Sequence, residues 1–451
     1  MKEKLFIAVI LLLCLVPSLG MLLPGQADAG GNEVLAPPPV LRSAEGQVNT
    51  EYLPQLVGYV EDNYFLRQRL VSAWSALNQN VLRTSIAENV VLGQDGWLYF
   101  GDTLNDYTGA DPMTDREIFC AARNLALMQE FCAGQGAQFL FTIAPNKNSL
   151  YPEHMPALTV SGQRRDAQRL LEQLAVQRVA YADLFSLFRS QDETLYFTQD
   201  SHWNSKGAAL AADAIHQALE RPTSYFGQTF VPEEGRLSDL YDMLHPAGPW
   251  RETDQTYGGT LSFTYDAPFR TPNDMTIQTS GGRFAGSLVM FRDSFGILLY
   301  PYMADSWQRA LFSRSMPYKM ALAAQQEADA VVIELVERNL DYLIEHPPVM
   351  PSPERAVSRG AEAGETGAVL LETEPAQSIP GYTLVKGTLP VQPDDCALVH
   401  FFAGDTCWEA FLLENDGFAV CVPETALERK DLFVVSAARD EAVSLTASAS
   451  N

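Results

Sequence analysis

Positive charge is scarce in this chain: 31 Lys and Arg stand against 56 Asp and Glu, a formal net charge of −25 over 451 residues. A nucleic-acid binder needs an excess of cations to neutralise phosphates, so that class is excluded. Histidine is also scarce, and His154, His216, His245, His346 and His400 show no metal-ligand spacing. The six cysteines show none either. Cys14 lies in an apolar leader, Cys120 and Cys132 flank an expected helix, and Cys396, Cys407 and Cys421 fall near the C-terminus. A disulfide among the last three is open, as are small buried residues. No pyridine-nucleotide fingerprint, Walker motif, internal repeat or extended low-complexity stretch occurs, so no cofactor and no metal is expected.

At the N-terminus Lys2 and Lys4 precede the apolar run LFIAVILLLCLVPSLGMLL, followed by Ala27-Asp28-Ala29. A positive n-region, an apolar h-region and an A-x-A site read as an export signal, and the run is long enough to stay as a membrane anchor. Residues 1–29 are therefore a signal peptide or anchor, and the protein is expected to be extracytoplasmic, secreted or held at the cell surface. The Pro-rich segment over 30–50 reads as a linker.

Residues 51–345 alternate helical and strand patterns. Asp115 to Cys132 is amphipathic, whereas AQFLFTIAPNK, VAYADLF, GSLVMF and ADAVVIELV are short apolar runs of the kind buried parallel strands show. VVLGQDGWLYFGD reads as a hairpin turning at Asp95-Gly96. Helices between apolar strands imply an α/β fold with a mostly parallel sheet, with reactive groups in loops at the strand C-termini. A second Pro-rich linker spans 346–367. Residues 368–451 hold closely spaced β-prone runs and are expected to form a small β-sandwich-like domain.

Two short motifs carry the chemistry. In QDSHWNSKG, Asp200 and His202 are two apart just before a helical pattern, so both can face one cleft as orienting acid and general base. Trp203 can wall that cleft, and Asn204 or Ser205 can cap the helix. In GSLVMFRDSFG, a buried-strand pattern runs into Arg292-Asp293-Ser294-Phe295-Gly296 and then another amphipathic run. That strand–turn–helix context exposes a serine hydroxyl and aims backbone N–H groups at it. Asn146 and Lys147 follow another strand and are candidate oxyanion or substrate-binding residues. Arg292 is a candidate for holding an anionic substrate group. Trp97 and Tyr99 read as buried aromatics or a sugar-stacking wall, and Glu334 and Arg338 as a local pair or site lining.

The motifs QDSHWNSKG and RDSFG, with GQDGWLYFGD, IAPNKNSLYPEHMP and IELVERN around them, resemble the SGNH-hydrolase-like domain of the alginate O-acetyltransferases AlgX and AlgJ and of related DHHW proteins. The resemblance runs from about Leu35 to Leu340 and leaves out the C-terminal β-rich region. It implies a three-layer SGNH-hydrolase-like sheet, with Ser294 as nucleophile, His202 as base and Asp200 as orienting acid. Arg292 departs from the family pattern by standing where the GDS block has Gly. The implied function is O-acyl transfer, most simply acetyl, onto a cell-envelope or secreted polysaccharide through an acyl-serine. The implied partner is a membrane-bound acyltransferase. A carbohydrate esterase using the same site, or a non-catalytic polysaccharide-binding or assembly protein, are the alternatives.

Overall fold

The computed structural model describes residues 2–21, 35–43, 46–162, 164–357, 365–376, 378–390, 394–428, 432–437 and 442–449. The Ala27–Ala29 site and part of the expected second linker lie outside them. Three helices come first: α1 (Lys2–Gly20), α2 (Tyr52–Asn63) and α3 (Arg67–Leu77). Among the described residues, no helix is long and apolar enough to cross a membrane.

The strands β1 (Val90–Leu92) and β2 (Leu98–Phe100) form the expected antiparallel hairpin. Asp95 and Gly96 take φ of 55° and 81°, a left-handed pair that glycine and aspartate tolerate best.

A seven-stranded sheet follows. It contains β3 (Gln138–Ala144), β4 (Tyr181–Ala182), β7 (Thr264–Tyr265), β8 (Thr276–Ser280), β9 (Phe284–Phe291), β10 (Trp307–Ser313) and β11 (Ala330–Val336). The order is β4-β3-β11-β9-β10-β8-β7. The five strands from β4 to β10 pair in parallel, and β8 and β7 are added antiparallel at one edge. Outside this sheet, β5 (Phe230–Arg236) and β6 (Glu252–Tyr257) make a separate antiparallel ribbon.

Strand alternation divides the core in two. Phe139, Phe141, Val289, Phe291, Val331 and Ile333 face one layer, with helices α4 (Asp115–Gly134) and α5 (Asp166–Gln177). Leu140, Leu288, Met290, Val332 and Phe312 face the other. That second layer is built on α6 (Leu184–Arg189), α7 (Ser205–Ala218) and α9 (Gly296–Ser306), while α8 (Asp239–Leu244) lies beside the site. Helix α4 starts on a capping box: the Glu117 N–H donates to Thr114 Oγ1 at 3.1 Å and the Thr114 N–H to Glu117 Oε2 at 2.7 Å. The expected three-layer α/β arrangement with a mostly parallel centre is present.

The C-terminal region is β-rich, as expected. Its strands are β12 (Glu365–Pro375), β13 (Tyr382–Thr388), β14 (Leu398–Ala403), β15 (Thr406–Glu409), β16 (Phe411–Leu412), β17 (Gly417–Pro423), β18 (Leu432–Ala437) and β19 (Ala442–Ala449). All eight join one hydrogen-bonded sheet, β15-β14-β18-β19-β12-β13-β17-β16, antiparallel except where β12 meets β19. It does not stand apart, because Val385, Phe401, Phe411 and Phe418 share a continuous core with α4 and the parallel sheet. Polar contacts seal the seam. Asn124 Nδ2 donates to the carbonyls of Leu343 and Leu412, and Asn124 Oδ1 accepts the Leu412 N–H. The carboxylate of Glu409 takes a two-point bond from Arg123, at 2.6 and 2.7 Å, and a third from Arg355 at 2.7 Å.

Candidate active site

The segment from Phe197 to Asn204 has few apolar side chains to hold it, and its backbone is fixed by hydrogen bonds instead. Lys147 Nζ donates to the carbonyls of Phe197, Thr198 and Asp200 at 3.1, 3.0 and 2.8 Å. The Glu252 carboxylate on β6 accepts from the N–H and hydroxyl of Thr198. Asp239 accepts the Ser201 N–H at 2.8 Å. The segment then runs into α7, where Asn204 Oδ1 caps the Gly207 N–H at 2.9 Å. Gly207 is needed there, since a Cβ would lie 2.4 Å from the Leu195 carbonyl oxygen.

This clamp puts Asp200 and His202 in register. His202 Nδ1 is 2.7 Å from Asp200 Oδ1, which also accepts the His202 backbone N–H at 3.0 Å. The opposite ring nitrogen, Nε2, is 2.8 Å from Ser294 Oγ. With Asp200 ionised, Nδ1 carries the proton and Nε2 is left to accept from the serine hydroxyl. The three side chains that sequence pattern singles out thus form one hydrogen-bonded chain, although Ser294 is 92 residues from His202.

Ser294 sits where β9 ends and α9 begins. The Arg292 N–H closes on Ser313 of β10, the Phe295 N–H donates to Asp293 Oδ1 at 2.8 Å, and α9 starts at Gly296. A Cβ on Gly296 would lie 2.6 Å from Arg292 Cβ, so the turn closes only around glycine.

Electrostatics suit an acid–base pair. Burial works to raise the Asp200 carboxyl, yet the His202 imidazole, its hydrogen bonds and the Arg236 guanidinium outweigh burial and hold it well below the usual carboxylate range. For His202, burial works to lower the imidazole, but the charge and hydrogen bond of Asp200, with Asp239 beyond, leave it raised. Asp239 Oδ2 lies 3.5 Å from His202 Nδ1. Its own carboxyl is raised, by burial and then by repulsion from Asp200.

These groups border a cleft of about 430 Å³ lined by Asp200, His202, Ser294, Arg236, Asn273 and Arg314 among others. Arg236, Asp239, Asn273 and Arg314 have no signal in the sequence. They come from β5, α8 and loops around β8 and β10, and no spacing relates them to the motifs. Asp200, His202 and Asp239 also form the one group among the described residues whose ligand atoms lie close enough, within 4.8 Å, to meet on a metal ion. Their hydrogen bonds to one another and to Ser201 already occupy those atoms.

Four expected lining residues lie elsewhere. Trp203 is fully buried behind the triad, donating from Nε1 to the Phe295 carbonyl at 3.0 Å and stacking on Phe188. Lys147 is buried beneath the segment it clamps, with burial pushing its ammonium down to about 8. Asn146 is buried and donates its N–H to Glu337. Arg292 is buried too, donating from Nη2 to the Pro272 carbonyl and lying over the Tyr300 ring. All four support the site and none lines the cleft. Trp97 and Tyr99 are buried as well. Glu334 meets Asp293 rather than Arg338, whose guanidinium lies over the Phe100 and Phe295 rings.

A serine, an imidazole and a carboxylate linked in this order at the C-terminal edge of a parallel sheet define a site of the serine-hydrolase kind. Comparison with known proteins narrows the class. Residues 90–264 match the family described as SGNH hydrolase-like domain, acetyltransferase AlgX, a span that includes Asp200 and His202 and stops before Ser294. The resemblance to AlgX/AlgJ-like proteins seen in the motifs is thereby borne out.

Among curated relatives, the chain is 25% identical over 262 residues to a probable alginate O-acetylase AlgJ of Pseudomonas syringae pv. tomato, covering 56% of this chain and 63% of that protein. A second, from Pseudomonas fluorescens, is 23% identical over 195 residues, covering 41% and 48%. The match thus spans less than two thirds of these relatives. Similar solved structures include the O-acetyltransferase domain of Pseudomonas putida AlgJ, at 19% identity and TM-score 0.38, covering 56% of this chain and 92% of that one. Bacillus cereus PatB1 is similar at 16% identity and TM-score 0.43, covering 56% and 97%.

Proposed function

We propose that the protein is a serine-dependent O-acetyltransferase acting on a cell-envelope or secreted polysaccharide outside the cytoplasm. The observation that carries this is the chain Asp200–His202–Ser294, closed at 2.7 and 2.8 Å in an open cleft. Ser294 Oγ attacks the carbonyl carbon of an acyl donor while His202 Nε2 takes its proton and hands it to the departing group. The acyl-serine is then attacked by a sugar hydroxyl, whose proton passes to His202 and back to Ser294 as the ester leaves. The Ser294 N–H at the head of α9 and the side-chain amide of Asn273, held from its Oδ1 by Arg314 at 3.1 Å, are the donors for the oxyanion.

The O-acetylase names of the relatives support acetyl as the group and an exopolysaccharide as the acceptor. The leader with Lys2 and Lys4 before an apolar run supports export. Extracytoplasmic acetyl transfer needs a source of acetyl groups, and a membrane-bound acyltransferase is the proposed partner.

The test is acetyl release from a chromogenic acetate ester, with and without acceptor glycan, by the parent protein and by Ser294→Ala and His202→Ala. Loss in both variants, with acetylated glycan formed by the parent, supports the transferase. Release to water alone, unchanged by any glycan tried, supports an esterase. Equal rates in all three proteins rule out the triad.

A further inference from the structure

The nucleophile turn is attached to the centre of the sheet by two carboxyl groups that the triad does not use. Strand β9 ends its pairing with β11 at Phe291↔Ile333, so β11 continues past it from Glu334 to Val336. The turn fills that gap. Asp293 Oδ2 accepts the Val336 N–H at 2.7 Å, Asp293 Oδ1 accepts the Phe295 N–H at 2.8 Å, and Glu334 Oε2 accepts the Asp293 N–H at 3.2 Å. The Asp293 N–H thus brings Glu334 up against the residue whose own carboxyl group opposes its charge. Glu334 is 1% exposed, and its Oε1 is buried with no donor to accept from. A second ionised carboxylate beside Asp293 is disfavoured at Glu334, because Glu334 is cut off from water and the repulsion there is poorly screened. Asp293 already accepts two backbone N–H bonds, so the proton belongs on Glu334.

We propose that Glu334 is a positioning residue: a neutral carboxylic acid that donates to the Asp293 carboxylate and so holds Ser294 at the reach of His202. The inference rests on Ser294 being the nucleophile. In this arrangement Asp293 ties the residues on either side of Ser294 to β11, and Glu334 keeps Asp293 aimed. The groups facing Glu334 are Asp293 and Arg292 from the turn, with Tyr318 and Tyr196 nearby. Burial, and then the Asp293 charge, push the Glu334 acid well above its ordinary range, while Arg292 pulls the other way without reversing it. Raising the pH far enough to remove the shared proton leaves two facing anions and loosens the turn.

The test compares Glu334→Gln, which keeps a donor and an acceptor without charge, with Glu334→Ala. Steady-state kinetics and the rate of Ser294 labelling by a fluorophosphonate are read beside infrared spectra. Expected are a protonated-carboxyl band in the parent that Glu334→Gln lacks, near-parental kcat in Glu334→Gln, and loss of its alkaline decline. Glu334→Ala, folded by circular dichroism, should lose about 10²-fold in kcat and labelling rate with KM little changed, as a misplaced nucleophile would. Should Glu334→Ala fail to fold, the Glu334→Gln band and pH profile decide. Parental kcat and labelling in a folded Glu334→Ala protein, or no band difference at neutral pH, overturns the inference. A Ser294→Ala control keeps the two readings apart. If Ser294→Ala remains active, the nucleophile assignment fails whatever the band shows; if it is inactive and the band is absent, only the shared proton fails.

Discussion

His202 carries the pH response of the site. Its neutral form is the base, so activity should fall as pH drops through its titration, which the acids beside it hold above the ordinary imidazole value. Asp239→Asn removes one of those negative charges. The acidic limb of the kcat/KM profile should then move to lower pH, while Asp200→Asn should cost about 10⁴-fold in kcat by releasing the ring to the wrong tautomer. A limb unmoved by Asp239→Asn would mean that the carboxylate 3.5 Å away does not act on the imidazole. The pair Asp200 and His202 was legible because residues two apart in an extended segment point the same way. Asp239 was not, since Ser201 and a helix start bring it in from 37 residues further along, and no local pattern records that meeting. Trp203 shows the opposite error: next to a catalytic histidine in sequence, it points backward and is packed behind Phe295.

At the scale of the element, the segment carrying Asp200 and His202 has the conformation its neighbours impose. Lys147 supplies three of its hydrogen bonds and Glu252 three more. Lys147→Met replaces a cation of similar length with a thioether and removes its bonds to three carbonyls, of which only that of Thr198 keeps another donor, the Leu98 N–H. It should cost about 2–4 kcal/mol in urea denaturation, from buried acceptors left unpaired. Activity should fall more steeply than stability, because the Asp200 carbonyl is one of the three. The strands and helices that frame this segment were readable from periodicity: β3, β9 and β11 are apolar runs, and α4 and α7 are amphipathic. The β5–β6 ribbon was not. Its strands are largely polar, with Glu233, Glu234, Asp254 and Gln255 along them, so hydrophobic patterning has nothing to detect.

For the molecule as a whole, the β-rich region and the α/β region are two sheets with one core. Glu409 is almost fully buried between Arg123 and Arg355; burial works to raise its carboxyl, but the two guanidiniums hold it below the ordinary value. A carboxyl whose folded value is depressed stabilises the fold above its unfolded titration, and that contribution disappears as pH falls through the depressed folded value. Glu409→Ala should therefore destabilise by about 3–5 kcal/mol at neutral pH, through Arg123 left without its partner while Arg355 keeps only Glu130, and by progressively less in acid. Asn124→Ala removes two bonds to Leu412 across the same seam and a third to Leu343, and calorimetry of either variant should show one transition moved down, not two transitions parted. A second transition appearing would mean the regions melt independently. A change of composition over 346–367 was visible in the sequence. The shared core was not, because an apolar strand reads the same whether it faces its own sheet or a neighbouring helix.

Strand order has a consequence for the time at which the site comes into being. β11 is the last of the parallel strands to be synthesised, yet it lies between β3 and β9, the neighbours of the two halves of the triad. Until residues 330–336 fill that gap, β3 and β9 have no hydrogen-bonded link within the sheet. A chain that has grown only as far as α9 already holds all three reactive residues but lacks the strand that joins β3 to β9. A fragment broken before β11 is therefore expected to lack a competent nucleophile, since Asp293 then has no Val336 N–H to hold the turn.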